Sequence, residues 1–177
     1  MKYYLSFDVG TTAMKCILFD GKFKEVAAEN MEYDLKTAPN GIAELDANVY
    51  YDTFCKCTSQ IVSKFGAENI VSVAFTTQGE TLIPIDSAGN PLCNAIVWLD
   101  TRAAECADYI KKNIDMRKFY SATGLPDIDG ALPAAKVMWL KNNKPDLYEN
   151  TYKFLLLEDY LIYRLTGLAV SERSLQS

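Results

Sequence analysis

The amino-acid sequence predicts an α/β domain with a mixed sheet and flanking helices. Two features carry that prediction: strand-like segments open the chain, and one long helical pattern separates them from further short apolar runs before the second half turns helical. With 177 residues, 49% of them hydrophobic, the chain is long enough for one ordinary domain and too short for two large ones. Residues 1–177 are therefore read as one domain.

The elements follow in order. Residues 3–9, 14–19 and 23–33 read as strands, separated by Gly10-Thr11-Thr12 and by Asp20-Gly21, a dipeptide that favours a tight hairpin. From Asn48 onward Tyr50, Phe54, Cys57, Ile61 and Phe65 recur at helical spacing, with Asp46 placed to cap the start and Gly66 to end the run. Residues 70–76 and 81–85 read as strands, the stretch Asp86 to Pro91 as a dense turn, and Ala95-Ile96-Val97-Trp98 as another apolar run. Helices are expected near 101–112, 115–122, 133–143 and 157–165, Pro133 suiting a first turn and Gly167 a C-terminal cap.

Composition narrows the function. The net charge of -5, with both signs interspersed, leaves no basic stripe, so nucleic acid is not an expected partner. No apolar run approaches the roughly 18–20 residues that cross a bilayer, and the chain opens without a signal-peptide pattern, so no membrane is expected and the location is read as cytoplasmic. Five cysteines lack C-x-x-C spacing and fit reduced, mostly buried thiols; Cys55 and Cys57, two apart on a helix, should face opposite sides. There is no histidine, which removes histidine-based triads and zinc sites.

The most informative stretch is Asp8-Val9-Gly10-Thr11-Thr12, directly after the first strand. Glycine allows a tight turn, the N–H groups and hydroxyls of Thr11 and Thr12 can cradle phosphate oxygens, Asp8 can hold Mg²⁺, and Lys15 can add positive charge near a transferred group. The same residues equally suit a plain hairpin turn. Neither G-x-x-x-x-G-K-[ST] nor a strand-linked G-x-G-x-x-G occurs, which excludes P-loop and dinucleotide-binding readings.

D-V-G-T-T-A-M-K-C-I-L-F-D at the start is similar to the opening of the actin, Hsp70 and sugar kinase superfamily. Ile42 to Asp46, Ser72 to Thr81, Ala95 to Arg102, Thr123-Gly124-Leu125-Pro126, Lys136 to Leu140, Glu158 to Leu161 and Leu165-Thr166-Gly167 then occur in the order and spacing of FGGY carbohydrate kinases. The chain resembles the N-terminal domain of that family over essentially its whole length. The resemblance implies a ribonuclease H-like domain, ATP and Mg²⁺ as cofactors, and a sugar or polyol as substrate. It also implies a C-terminal domain that supplies most of the adenine site, and an aspartate base in a later motif, beyond Ser177. No acidic residue of this chain is given that role. The end is read as cut, leaving the sheet incomplete and the chain alone inactive; its unprotected strand edges would favour self-association, a homodimer being the simplest form.

Gln78, Glu80, Trp98, Asp100 and Arg102 follow strand ends, where α/β ligands collect, and suit a polyol: carboxylates, amides and arginine for hydroxyls, an aromatic face for C–H groups. Each has a plainer alternative, Trp98 as a core anchor, Arg102 as a helix charge paired with Glu105 or Asp100, and Gln78 and Glu80 as solvated turn residues. Asp127 and Asp129 fit an Asp-rich turn more readily than a ligand site. Glycerol kinases carry N-Q-R-E-T in the substrate loop, where this chain has Gly79 for the arginine, and xylulokinases carry Q-M-H-G. The polar loop favours a ketose or polyol with several hydroxyls over glycerol. A non-catalytic sugar- or partner-binding module is the alternative function.

Overall fold

The computed structural model describes residues 1–172. In chain order the elements are β1 (Tyr3–Val9), β2 (Ala13–Phe19), β3 (Glu25–Glu32), β4 (Lys36–Ala38), β5 (Ile42–Leu45), α1 (Ala47–Phe65), β6 (Ile70–Thr77), β7 (Leu82–Ile85), β8 (Ala95–Ile96), α2 (Ala104–Asn113), α3 (Met116–Thr123), α4 (Pro133–Asn143), α5 (Pro145–Asn150), β9 (Lys153–Leu156) and α6 (Leu157–Thr166). They divide into two compact units. The first comprises Met1–Leu35 and Asn48–Gln78, the second Lys36–Ala47 and Gly79–Ser177.

The first unit is a mixed sheet of order β3-β2-β1-β6, in which β1 runs antiparallel to β2 and parallel to β6. Alternation sends Leu5, Phe7 and Val9 of β1 and Met14, Cys16 and Leu18 of β2 to a buried face. The aromatic ring of Phe7 lies 4.7 Å from that of Phe54 on α1 and 5.4 Å from that of Phe75 on β6. Each fully buried side chain of this size contributes about 1.5–3 kcal/mol over leaving it in water. Gly66 ends α1 at φ 78°, a left-handed conformation that suits glycine, and Cys57 is buried while Cys55 is exposed, as the helical spacing requires.

The strand after Asp20-Gly21 starts at Glu25, not Phe23. The Asp20 carboxylate accepts the N–H groups of Lys22 and Lys24 at 2.8 and 3.0 Å, which builds a longer loop with Phe23 at φ 58° in place of a tight hairpin.

The second unit holds a sheet of order β4-β5-β8-β7-β9, all of its pairs antiparallel, which sequence reasoning did not anticipate. Its outer hairpin turns at Asn40 and Gly41, with φ of 69° and 74°. One hydrophobic cluster joins α2 and α4 through Ala103, Ala107, Ile128 and Ala135, with Met116 and Phe119 of α3 packed against it; another joins the sheet to α4 through Leu82, Ile96, Leu140 and Leu156, and Trp139 packs against both. Pro133 opens α4, and Gly167 caps α6 at φ 73°, as expected from sequence. The helix expected from 101 starts at Ala104, because Asp100, Thr101 and Arg102 form a hydrogen-bonded turn in which Ala104 N–H reaches the Thr101 carbonyl at 3.1 Å.

Candidate functional site

The first unit carries the Gly10-Thr11-Thr12 turn between β1 and β2, and it is built from backbone. Gly10 N–H donates to the Ala13 carbonyl at 2.9 Å, and a Cβ on Gly10 would lie 3.2 Å from that oxygen, so glycine fits this turn best. Sequence reasoning missed what holds the turn in place. The Tyr33 hydroxyl donates to the Gly10 carbonyl and lies 3.1 Å from the Ala13 carbonyl, while Tyr33 N–H donates to the Thr12 carbonyl at 2.9 Å. Tyr33 packs edge-on against Tyr50, and the Tyr50 hydroxyl accepts Gln78 Nε2 at 2.8 Å. Burial pushes both phenols far above their ordinary range, so both remain neutral.

Gln78 N–H closes the same network on the Val9 carbonyl at 2.9 Å, and Gln78 Oε1 is buried without a hydrogen-bond partner. Above the turn, Asp8, Thr12 and Lys15 are exposed; Asp8 sits opposite Lys15 across β1 and β2 and beside Thr76 of β6. An exposed carboxylate at a strand end, next to threonines and a lysine, is a donor set that fits Mg²⁺ and phosphate, since Mg²⁺ takes one or two carboxylates and keeps several waters.

In the second unit Asp100, Arg102 and Glu44 form a charge cluster, and Lys136 bonds the carbonyls of Glu80 and of Val97, the residue before Trp98. Asp100 is completely buried. Its oxygens accept four hydrogen bonds, from Ala43 N–H at 2.8 Å, Arg102 N–H at 3.0 Å, Arg102 Nε at 2.8 Å and Arg102 Nη2 at 2.6 Å. Those bonds are internal, so Asp100 organises its neighbours and presents no oxygen to solvent. Arg102 also reaches Glu44 Oε1 at 2.6 Å, and its guanidinium stacks 5.1 Å from the Trp139 ring centroid. Its carboxylate partners are thus Asp100 and Glu44.

The segment bearing these residues is stitched to β5. Thr101 N–H donates to the Gly41 carbonyl at 2.8 Å and Val97 N–H to the Ala43 carbonyl at 3.0 Å. A Cβ on Gly41 would sit 1.9 Å from Thr101 Oγ1, so a side chain here would displace that hydroxyl, and the φ of 74° favours glycine as well. Trp98, at the tip, is 41% exposed, which rules out the core-anchor alternative.

Glu80 adopts φ 58°, a left-handed conformation that costs a non-glycine residue about 1–2 kcal/mol. Its carbonyl accepts Lys136 Nζ at 2.7 Å, and a hydrogen bond to a charged donor contributes about 1.5–3 kcal/mol, enough to offset that strain. Burial, then the nearby Asp129, raises the Glu80 carboxyl above its ordinary value, with Lys136 opposing. Asp127 pairs with Lys111 at 3.1 Å and Asp129 accepts Ala131 N–H at 2.9 Å, so both make turn contacts. Lys136 and Glu44 escaped notice as site residues. The available signal for Lys136 was a lone charge in the apolar stretch from Ala131 to Leu140.

The model for the N-terminal domain of the FGGY family of carbohydrate kinases matches residues 3–177. The chain belongs to this family. Among curated FGGY relatives it is 32% identical to the xylulose kinase of Staphylococcus xylosus, over 98% of this chain and 36% of that protein, and 33% identical to a glycerol kinase of Saccharolobus islandicus, over 94% and 34%. The crystal structure of gluconate kinase from Lactobacillus acidophilus superposes with a TM-score of 0.87 at 31% identity, covering 95% of this chain and 34% of that one. The chain spans about a third of the length of these relatives. Its architecture is the actin, Hsp70 and sugar kinase fold expected from sequence.

Proposed function

We propose that this chain contributes the acceptor site and part of the phosphate site of an ATP-dependent carbohydrate kinase, which transfers the γ-phosphoryl group to a hydroxyl of a sugar or polyol. The observation that carries the reading is the cluster of Glu80, exposed Trp98 and clamped Arg102 on segments tied together in a chain of this family. Within the second unit Glu80 and Arg102 hydrogen-bond hydroxyls, Trp98 covers a C–H face, and Asp100 fixes Arg102; in the first unit Gln78 carries an unpartnered Oε1.

At the turn, Asp8 would hold Mg²⁺, Thr11 and Thr12 would cradle phosphate oxygens, and Lys15 would add charge. Bound Mg-ATP supplies the phosphoryl group and neutralises its developing charge. Gly10 has its N–H engaged and shapes the loop. The substrate favoured is a ketose or polyol with several hydroxyls. Five unpaired thiols support a reducing compartment, the cytoplasm, and no helix among the described residues is long and apolar enough to cross a membrane.

The test is titration of the purified 177-residue chain with D-xylulose, D-gluconate and glycerol, followed by tryptophan fluorescence and calorimetry. Saturable binding of one of them, lost in Trp98→Ala and in Glu80→Gln, is expected, without turnover of ATP. Equal signals in wild type and both variants would remove the acceptor site from these residues.

A further inference from the structure

Lys136 is completely buried, and its ammonium is the meeting point of two segments distant in sequence. Nζ donates to the carbonyls of Glu80 at 2.7 Å, Val97 at 3.1 Å and Ile96 at 3.3 Å. A protonated lysine has three donors and no acceptor, so three carbonyls satisfy it fully, and a neutral amine has one donor too few. A charge buried to this depth is costly unless it is paired, and an apolar residue would fill the same space between the packed helices and strands without that cost. What the ammonium adds over an apolar residue is a fixed relation between the turn at Glu80 and Ile96-Val97, the end of β8 and the residue before Trp98.

We propose that Lys136 is a positioning residue for carbohydrate recognition: its ammonium ties Glu80 to Ile96 and Val97, and so sets the Glu80 carboxylate and the Trp98 indole in register for one ligand. This rests on the acceptor site proposed above. The charged groups facing Nζ are Asp100, Glu80, Arg102 and Asp129; burial is the largest influence on the ammonium and brings it down to about 8, against the pull of the carboxylates. The clamp is therefore protonated at neutral pH and releases under mildly alkaline conditions.

The experiment compares the 177-residue wild type with Lys136→Met, which keeps the length of the stem without charge, and with Val137→Ala, a packing change on the same helix. Amide hydrogen exchange is read at Ala43, Val97 and Asp100, whose N–H groups bond within the stitched segment, and at Ile83 and Ile85 of the sheet as internal controls. Lys136→Met is expected to speed exchange about tenfold at the first three and to leave the controls in place, with Val137→Ala changing all five alike or not at all. A uniform change in Lys136→Met, or none, would overturn the proposal and leave the lysine as core filling.

A second arm follows D-xylulose binding from about pH 7 to pH 9. Wild-type affinity should fall several-fold across that range, and Lys136→Met should be weak throughout with a flat profile. If Lys136→Met does not fold, the wild-type profile and its local exchange across the same range decide, and a pH-independent result in both contradicts the clamp. Absence of xylulose, gluconate and glycerol binding in the wild type would sink the acceptor-site reading; the exchange comparison would still decide whether Lys136 fixes the two segments.

Discussion

The two candidate regions solve opposite problems with opposite materials. The turn of the first unit is made of backbone, propped from below by the neutral Tyr33, Tyr50 and Gln78, with its charged side chains Asp8 and Lys15 left in solvent. The acceptor region of the second unit is made of charges, with Asp100 and Lys136 fully buried and Arg102 nearly so. A polyanion such as a nucleotide brings its own charge and needs a shaped, donating surface. A neutral polyol brings only hydroxyls, and side chains that bind it must be fixed in advance by groups behind them. Substitutions of the exposed charges Asp8 and Lys15 should therefore separate folding from binding at the turn, whereas those of the buried charges in the second unit should couple them.

The largest effect is expected from Asp100→Asn. It removes the carboxylate shared by Arg102 and the stitched segment and leaves two buried cations undercompensated, at a cost of about 3–5 kcal/mol in urea denaturation. Asp8→Asn is the contrasting case. It should leave stability within about 0.5 kcal/mol of wild type while abolishing the Mg-ATP response in calorimetry. Were the two variants to destabilise equally, the contrast would be wrong.

Tyr33→Phe tests the prop beneath the turn. Loss of the hydroxyl that serves the Gly10 and Ala13 carbonyls should cost about 1–3 kcal/mol and weaken Mg-ATP binding without touching sugar binding, read by the same two titrations.

A pH series gives a smaller, signed effect. The Lys136 ammonium is held at about 8 in the folded chain against 10.5 as its ordinary value. Between those values the unfolded chain binds a proton that the folded one lacks, so this group makes stability rise with pH across that window, while below both values its contribution is constant. The difference in urea midpoint between wild type and Lys136→Met should follow that slope. Sugar affinity should move the other way, which separates positioning from folding.

The smallest effect on stability belongs to Val73→Lys. Strand β6 ends the order of its sheet and exposes Val71 and Val73 at 49% and 44%, with no charge or proline along Ile70–Thr77 to discourage pairing with another strand. We expect concentration-dependent self-association of the 177-residue chain in sedimentation, reduced by this substitution.

The same contrast explains how much of the molecule was legible in its sequence. The turn was legible because its parts are contiguous: Asp8 to Thr12 and Lys15 announce themselves within one hairpin. Helix α1 followed from apolar spacing and Gly66, and the start of α4 from Pro133. The second sheet was not legible, because β4, β8 and β9 have only two to four residues each, too few to show alternation. In the candidate acceptor region Glu80, Trp98, Asp100 and Arg102 stood out, but their supports Gly41, Ala43, Glu44 and Lys136 come from two other segments, and nothing local couples residue 44 to 102 or 80 to 136. Asp100 reads in sequence as a ligand and in the structure as a hub, because only the fold shows that its oxygens are already engaged.

The most direct test of the account is a pair of amide-resolved NMR titrations of the 177-residue chain, one with Mg-ATP and one with D-xylulose or D-gluconate. The account predicts two disjoint sets of shifted signals, Asp8 to Lys15 with the nucleotide, and Glu80, the Trp98 indole and Arg102 with the sugar. Sugar-induced shifts that avoid Glu80, Trp98 and Arg102, or nucleotide shifts that avoid the β1–β2 turn, would contradict it.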